Sequence, residues 1–222
     1  MMSVILTKTL QTVAIASSLV GAGGIATLSL FDIPEIQSQP ANRSLPMIRW
    51  LFSRGSHIFP SASFLSFLTF LYLAYDALPA NLRTLTQILR STNGFRVNGY
   101  LVAAILSISI APWTMSVMVP NNFALIKKNA DKGGARSAKA AEELAKSGYK
   151  PGERSALDSV NGKGEGDEFT DLSGPQEKTE LDSTEEEDEE VRQMLGTFAR
   201  QNAVRAVLLG AGGVVGLLAA IY

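Results

Sequence analysis

The stretch "IAPWTMSVMVPNNFALI", residues 110–126, decides the fold. It starts as an oily membrane-type run, then meets two prolines, a tryptophan, a threonine and two adjacent asparagines. It closes a charge-free run that begins at residue 97, and three more such runs cover residues 9–31, 58–75 and 206–222. Each is near or above the roughly 17–25 residues that a helix needs to cross hydrocarbon. The expected fold is all-α, an integral membrane four-helix bundle. Residues 1–128 hold transmembrane helices 1–3 with their connecting loops, residues 129–190 form a long disordered charged loop, and residues 191–222 hold transmembrane helix 4.

Composition narrows the chemistry. Of 222 residues 46% are hydrophobic, and the formal net charge is −1. Mean hydropathy is positive, +0.13. That balance gives no reason to expect nucleic acid as a partner. The chain has no cysteine and one histidine, which excludes a disulfide framework, thiolate metal sites and multi-histidine sites. No metal site is expected.

The first apolar segment is read as a retained helix over residues 10–30. Only Lys8 stands before it, its apolar run is long for a signal core, and "LSLFDIPEI" at its end lacks a small-x-small cleavage site. Residues 32–56 are expected to be a loop with turns at Pro34, Pro40 and Pro46. Within it "LPMIRWLFSRG" suits a short interfacial helix, with Trp50 at headgroup depth and Arg49 and Arg54 as anchors. Helix 2 is expected at residues 58–78, with Pro60 in its first turn, and helix 3 at residues 99–119. Residues 129–190 are rich in Gly, Lys, Glu, Ser and Asp and nearly free of aromatics, a composition that buries too little apolar surface to repay ordering. The run "EEEDEE" at 185–190 reads as a solvated spacer.

Four helices place both termini on one side of the membrane. That side carries Lys8, Arg83, Arg90 and Arg96 near the bilayer. The other side carries Arg43, Arg49, Arg54, Lys127, Lys128, Lys132, Arg192 and Arg200. The positive-inside rule makes the second side cytosolic and both termini non-cytosolic. The sequon Asn42-Arg43-Ser44 would then face the cytosol and stay bare.

"GAGG" occurs at 21–24 and again at 210–213. A dinucleotide fingerprint would need glycine where Ala26 and Val215 stand, and would follow a strand. Nucleotide binding is therefore rejected. Ser17 with Gly21 and Gly212 with Gly216 are instead small-xxx-small pairs that let helices approach closely. Ser66, Thr69, Leu73 and Asp76 form one stripe, read as a helix–helix contact.

The polar residues gather at the helix ends of the cytosolic side. Phe198, Asn202, Arg205 and Leu209 share a helical face. Asn122 lies eight residues, about 12 Å along a helix, from Thr114. Pro112 and Pro120 each remove a backbone donor. Such defects are tolerated at membrane depth against protein or a watery cavity. The pattern is read as a cytosol-facing pocket with an apolar floor and a polar rim. Arg205 lies inward of the other loop charges, where charge is costly unless used or paired.

Pro112, Trp113, Thr114, Met118, Pro120, Asn122 and Leu125 fit a pattern P-[aromatic]-T-x₃-M-x-P-x-N-x₂-L, followed by N-x-x-R at Asn202 and Arg205 and a Gly-rich last helix. This resembles the fungal anthrone oxygenase family, small four-helix membrane proteins formerly filed as a domain of unknown function. "RGSHIFPSASFLSFLTFLYLAY" at 54–75 is similar to that family's second helix. The resemblance covers the four helices and leaves out residues 129–190. Asn121 stands where the family usually has Thr, and Phe198 where it usually has Trp.

The resemblance implies a membrane-bound monooxygenase of fungal secondary metabolism, oxidising an anthrone-type polyketide to the anthraquinone. O₂ would be co-substrate, with no metal or flavin. It implies a small aromatic polyketide as substrate, pathway enzymes as possible partners, and an endoplasmic reticulum or related endomembrane location. An anthrone CH₂ is acidic because its anion is aromatic, and that anion reacts with O₂ directly. The protein then needs an apolar slot, a base and oxyanion donors. The residues that fit are His57 as base, Asn122, Asn202 and Arg205 as donors, Phe59 and Trp113 as ring-stacking walls, and Thr114 as lining. The alternative class is a non-catalytic four-helix membrane protein, an assembly partner or a small transporter.

Overall fold

The computed structural model describes residues 4–90 and 92–222. Four of its helices are long and apolar enough to cross a membrane: span 1 (Val4–Gln37), span 2 (Ala41–Asp76), span 3 (Phe95–Asp131) and span 4 (Glu185–Ile221). No strand occurs among the described residues. The all-α membrane fold expected from the charge-free runs is the fold observed.

The helices are longer than the charge-free runs. The expected loop and separate interfacial helix over residues 32–56 do not form. Ala41–Asp76 is one helix with Pro46 and Pro60 inside it. Pro46 has no N–H to give the Asn42 carbonyl one turn earlier. The Thr179 N–H donates to that carbonyl instead, at 2.7 Å. Span 4 likewise begins at Glu185, so the acidic run is helical and places Glu185, Glu186, Glu187 and Asp188 in the first turn. Acidic groups there complement the helix dipole. The run is also partnered rather than merely solvated. Lys132 Nζ lies 2.8 Å from Glu187, Lys128 Nζ lies 2.7 Å from Glu190, and the Ala41 N–H donates to Asp188 at 2.6 Å.

The prolines of residues 110–126 leave a clear mark. Between Pro112 and Pro120 the chain runs as a π-helix, Thr114–Met118. A second π-helix, Leu28–Asp32, precedes Pro34 by the same two-residue interval. A proline ring collides with the carbonyl four residues back, and a wider i→i+5 turn relieves that crowding. The polar, backbone-breaking chemistry in the opening stretch therefore changes helical register without ending the span.

The chain forms two compact units. The first holds Met1–Thr27, Ile58–Met115 and Asn202–Tyr222. Its core includes Phe70, Leu73, Tyr100, Ala103, Ala104 and Ala219, all buried. Small residues set how closely its helices approach. The Gly212 and Gly216 pair behaves as expected: an added Cβ at Gly216 would lie 2.3 Å from the Phe70 ring, and one at Gly212 would lie 2.9 Å from Ser107 Oγ. On span 1 the buried serine is Ser18, which meets Ser107 at 3.4 Å, with Ser17 only partly buried. The Ser66 stripe is a helix contact, and the Ser66 hydroxyl donates to the Ala14 carbonyl at 3.3 Å.

The second unit holds Leu28–His57 and Ser116–Gln201. Residues 129–190, expected to be disordered, are folded here. Two short helices, Ala138–Lys146 and Ala156–Val160, start with Ser137 and Ser155 as hydroxyl caps, the second with a full capping box through Asp158. Each closes with a glycine of positive φ just past its end, Gly148 (78°) and Gly162 (64°), a conformation that costs glycine little. The composition rule fails because polar burial replaces apolar burial. Arg154 Nη1 reaches Glu165 at 2.5 Å, and Arg136 Nη1 lies 3.6 Å from the same carboxylate. All three side chains are buried. The Nη2 groups of both arginines donate to backbone carbonyls of Gly134, Glu165 and Gly166 at 2.9–3.0 Å.

The glycine packing of the first unit is directly testable. Gly216→Ala drives a methyl into the buried Phe70 ring, and overpacking of this kind costs about 1–3 kcal/mol. Gly23→Ala meets nothing within 4 Å on the same kind of helix. Thermal unfolding in detergent is expected to show a lowered midpoint for Gly216→Ala and an unchanged or slightly raised one for Gly23→Ala. Equal midpoints would remove the close-approach reading of Gly216.

Candidate functional site

In the first unit, span 4 brings Asn202 and Arg205 together. They are one helical turn apart, and Arg205 Nη1 donates to Asn202 Oδ1 at 3.1 Å. Asn202 is buried, and its amide nitrogen donates to the Ile25 carbonyl at 3.2 Å, in the last turn before span 1 changes to π geometry. The asparagine is thus held at both ends of its amide, which fixes one arm of the guanidinium. Arg205 Nε is buried and has no hydrogen-bond partner among the described residues. A guanidinium steadied on one edge, with a donor left over inside a membrane span, is equipped to receive an anionic oxygen.

Ile25 belongs to a small apolar cluster with Ala22, Ile110 and Leu209. Phe59 packs against that cluster, and an added Cβ at Gly24 would lie 3.1 Å from its ring. Phe59 is therefore held by close packing on span 1. The Thr114 hydroxyl donates to the Ile110 carbonyl at 2.7 Å, within its own helix. Trp113 is partly buried in the turn before the π-helix.

His57 and Asn122 fall in the second unit. Asn122 Oδ1 is buried and has no hydrogen-bond partner among the described residues. Its neighbour Asn121 makes the inter-span bond, donating to the Met194 carbonyl at 3.1 Å. His57 is half-exposed and lies 3.5 Å through Nε2 from Glu168. Its ring sits 5.2 Å from that of Phe169. Glu168 also accepts from the Ser53 hydroxyl. A carboxylate on one imidazole nitrogen fixes the ring orientation. Glu168 is the residue that sequence reasoning missed, because it lies in a segment read as unstructured. Only the serine caps and C′ glycines that precede it, at 137, 148, 155 and 162, signalled order in the sequence.

Arg49, Trp50 and Arg54, expected to be lipid anchors, are used differently. Arg49 Nη2 donates to the Ser159 carbonyl at 2.6 Å, Trp50 Nε1 to Ser173 at 2.9 Å, and Arg54 Nη2 to Asp171 at 2.5 Å. They hold residues 159–173 to the helix. A separate open groove of the second unit, of about 400 Å³, is lined by Gln37, Glu189, Arg192, Gln193, Gly196, Thr197 and Arg200, and none of the expected site residues lines it.

The fold is that of a multi-pass, all-α membrane protein, and the polar groups just described lie on or against its long apolar helices. Residues 49–150 match the family model of the anthrone oxygenases, which supports the anthrone oxygenase family for this chain. The match runs past the helices into the segment after residue 128 and stops short of Asn202 and Arg205. No curated protein and no solved structure gives a match.

Asp171 controls the segment that carries Glu168. Burial opposes its ionisation. Bonds from the Ser137 hydroxyl and from the Ser173 hydroxyl and N–H outweigh that and hold its pKa below the ordinary 3.8. A carboxylate depressed on folding stabilises fully above its unfolded pKa, and the contribution is lost as pH falls through the folded value. Hydrogen exchange of residues 165–173, taken relative to the intrinsic rate at each pH, is expected to quicken as pH drops below about 3.8. In Asp171→Asn it should be faster at neutral pH and lack that acid step. An identical acid step in the variant would remove Asp171 as its cause.

Proposed function

We propose that the protein is a membrane monooxygenase that oxidises an anthrone-type aromatic polyketide at its central CH₂ to the anthraquinone. The family match supports an anthrone oxygenase-like activity in general, and the substrate class and the roles below are our reading. The reaction balances with O₂ alone: CH₂ and O₂ give C=O and H₂O. Loss of one CH₂ proton makes an aromatic enolate. That anion passes electrons to O₂ and forms a C–O bond, and the resulting hydroperoxide loses water to leave the carbonyl.

The observation that carries the reading is the Asn202–Arg205 pair, fixed to the Ile25 carbonyl and keeping a buried donor. In this reading the pair stabilises the oxygen that becomes an enolate. Preorganised donors aimed at developing charge are commonly the largest catalytic contribution. His57 is the proposed base, oriented by Glu168. Phe59, Trp113 and Thr114 form the apolar lining. No cofactor is proposed beyond O₂ as co-substrate. The Lys/Arg imbalance supports cytosolic placement of the second unit and non-cytosolic termini, in the endoplasmic reticulum or a related endomembrane of a fungal cell.

Arg205→Lys separates catalysis from anchoring. Lysine keeps the charge and the reach but lacks the planar fork. Anthrone consumption by membranes, followed as O₂ uptake, is expected to fall on the order of 10²-fold at unchanged protein abundance, the scale of losing one oxyanion donor. Near-normal turnover would return Arg205 to a snorkelling role.

A further inference from the structure

Residues 165–173, "EGDEFTDLS", are built inside out. Three of their four acidic side chains turn inward. Glu165 is 1% exposed against Arg154 and Arg136, Asp171 is 2% exposed against Ser137 and Ser173, and Glu168 is spent on Ser53 and His57. Their apolar side chains turn outward, with Phe169 78% and Leu172 92% exposed. A segment folded only for water would show the reverse polarity. Exposed large apolar side chains backed by buried, paired acidic groups mark a surface that meets something apolar.

The position of the segment says what that is. It is pinned to span 2 at three levels: Trp50 Nε1 to the Ser173 carbonyl, Arg54 Nη2 to the Asp171 carbonyl, and the His57 ring beside Phe169. Arg54 is the last charged residue before the charge-free run 58–75 of the same helix, and His57 adjoins that run directly. From residue 54 to residue 58 a helix rises only about 6 Å. Phe169 and Leu172 therefore project at the level where span 2 enters hydrocarbon. The turn is also prepared for a poorly hydrated setting. The Phe169 and Thr170 N–H groups donate to the Asp167 carboxylate at 3.3 and 3.2 Å, so these two backbone donors have partners within the turn. Asp167 itself stays exposed, as a group in the headgroup layer would.

We propose that the turn carrying Phe169 and Leu172 is a lipid-dipping element, whose two side chains insert into the acyl–headgroup boundary beside the start of the second span. The contact is apolar, so it does not require anionic lipid and does not weaken with salt. It stands apart from the proposed oxidation and holds whether or not the chain is catalytic.

The chain has no cysteine, so Phe169→Cys and Leu172→Cys each carry a single thiol for a nitrobenzoxadiazole label. The full-length protein is placed in phosphatidylcholine nanodiscs. Glu177→Cys, whose native side chain is 87% exposed, is the water-facing control and corrects for any pull of the dye itself. Labels at 169 and 172 are expected to emit to the blue of the control. Lipids with shallow doxyl groups should quench them, and aqueous iodide should quench them several-fold less than the control, at low and high salt alike. Iodide quenching equal to the control without doxyl quenching would overturn the proposal. So would protection from iodide without doxyl quenching, which would mean that another protein copy covers the turn.

Discussion

The structure depends on one constraint: a backbone polar group at membrane depth needs a partner inside the protein. Prolines are where this constraint bites, since each removes a donor. Ahead of Pro34 and Pro120 the helix answers by widening into π turns. At Pro46 the answer is tertiary, with the Thr179 N–H taking the Asn42 carbonyl. The same demand explains the second unit. Its arginines act less as surface charges than as donors to carbonyls of a segment with little regular structure, and the segment in turn covers residues 49–57.

That role of arginine bears on function. Arg49, Arg136 and Arg154 have carbonyls or a carboxylate as partners, and each is nearly fully buried. Arg205 differs. Its partner Asn202 offers a neutral amide one turn away, and its Nε has no hydrogen-bond partner among the described residues. A cation placed in a span, on an asparagine that is itself held, is costly for structure alone. The cost has a reason if an anionic oxygen forms beside it.

The first unit relies on closeness. Glycine and serine at helix contacts let backbones approach until dispersion and short hydroxyl bonds supply the attraction, because lipid tails offer no hydrophobic drive. Ser63 donating to the Ser107 carbonyl at 2.7 Å, and Gly213 set against Leu19, are both of this kind. Phe59, expected to stack on a substrate ring, is part of this packing through Gly24. A ring so held is a fixed surface, which suits positioning better than adaptation.

The sequence by itself determined the four spans, the small-residue contact at Gly212 and Gly216, and the polar character of the helix ends. These follow from local chemistry: a long charge-free run must be helical in hydrocarbon, and a glycine admits close approach wherever it faces a neighbour. The caps Ser137 and Ser155 and the glycines at 148 and 162 were also legible, but the composition of residues 129–190 outweighed them. Only the tertiary structure decided that this segment folds, that Glu168 reaches His57, and that Phe169 and Leu172 face outward. The physical reason is that buried polar groups are stable only with partners, and those partners are far away along the chain. Arg49 and the Ser159 carbonyl are 110 residues apart, and Asn202 and the Ile25 carbonyl 177 apart. No local pattern of polar and apolar residues encodes such a pairing.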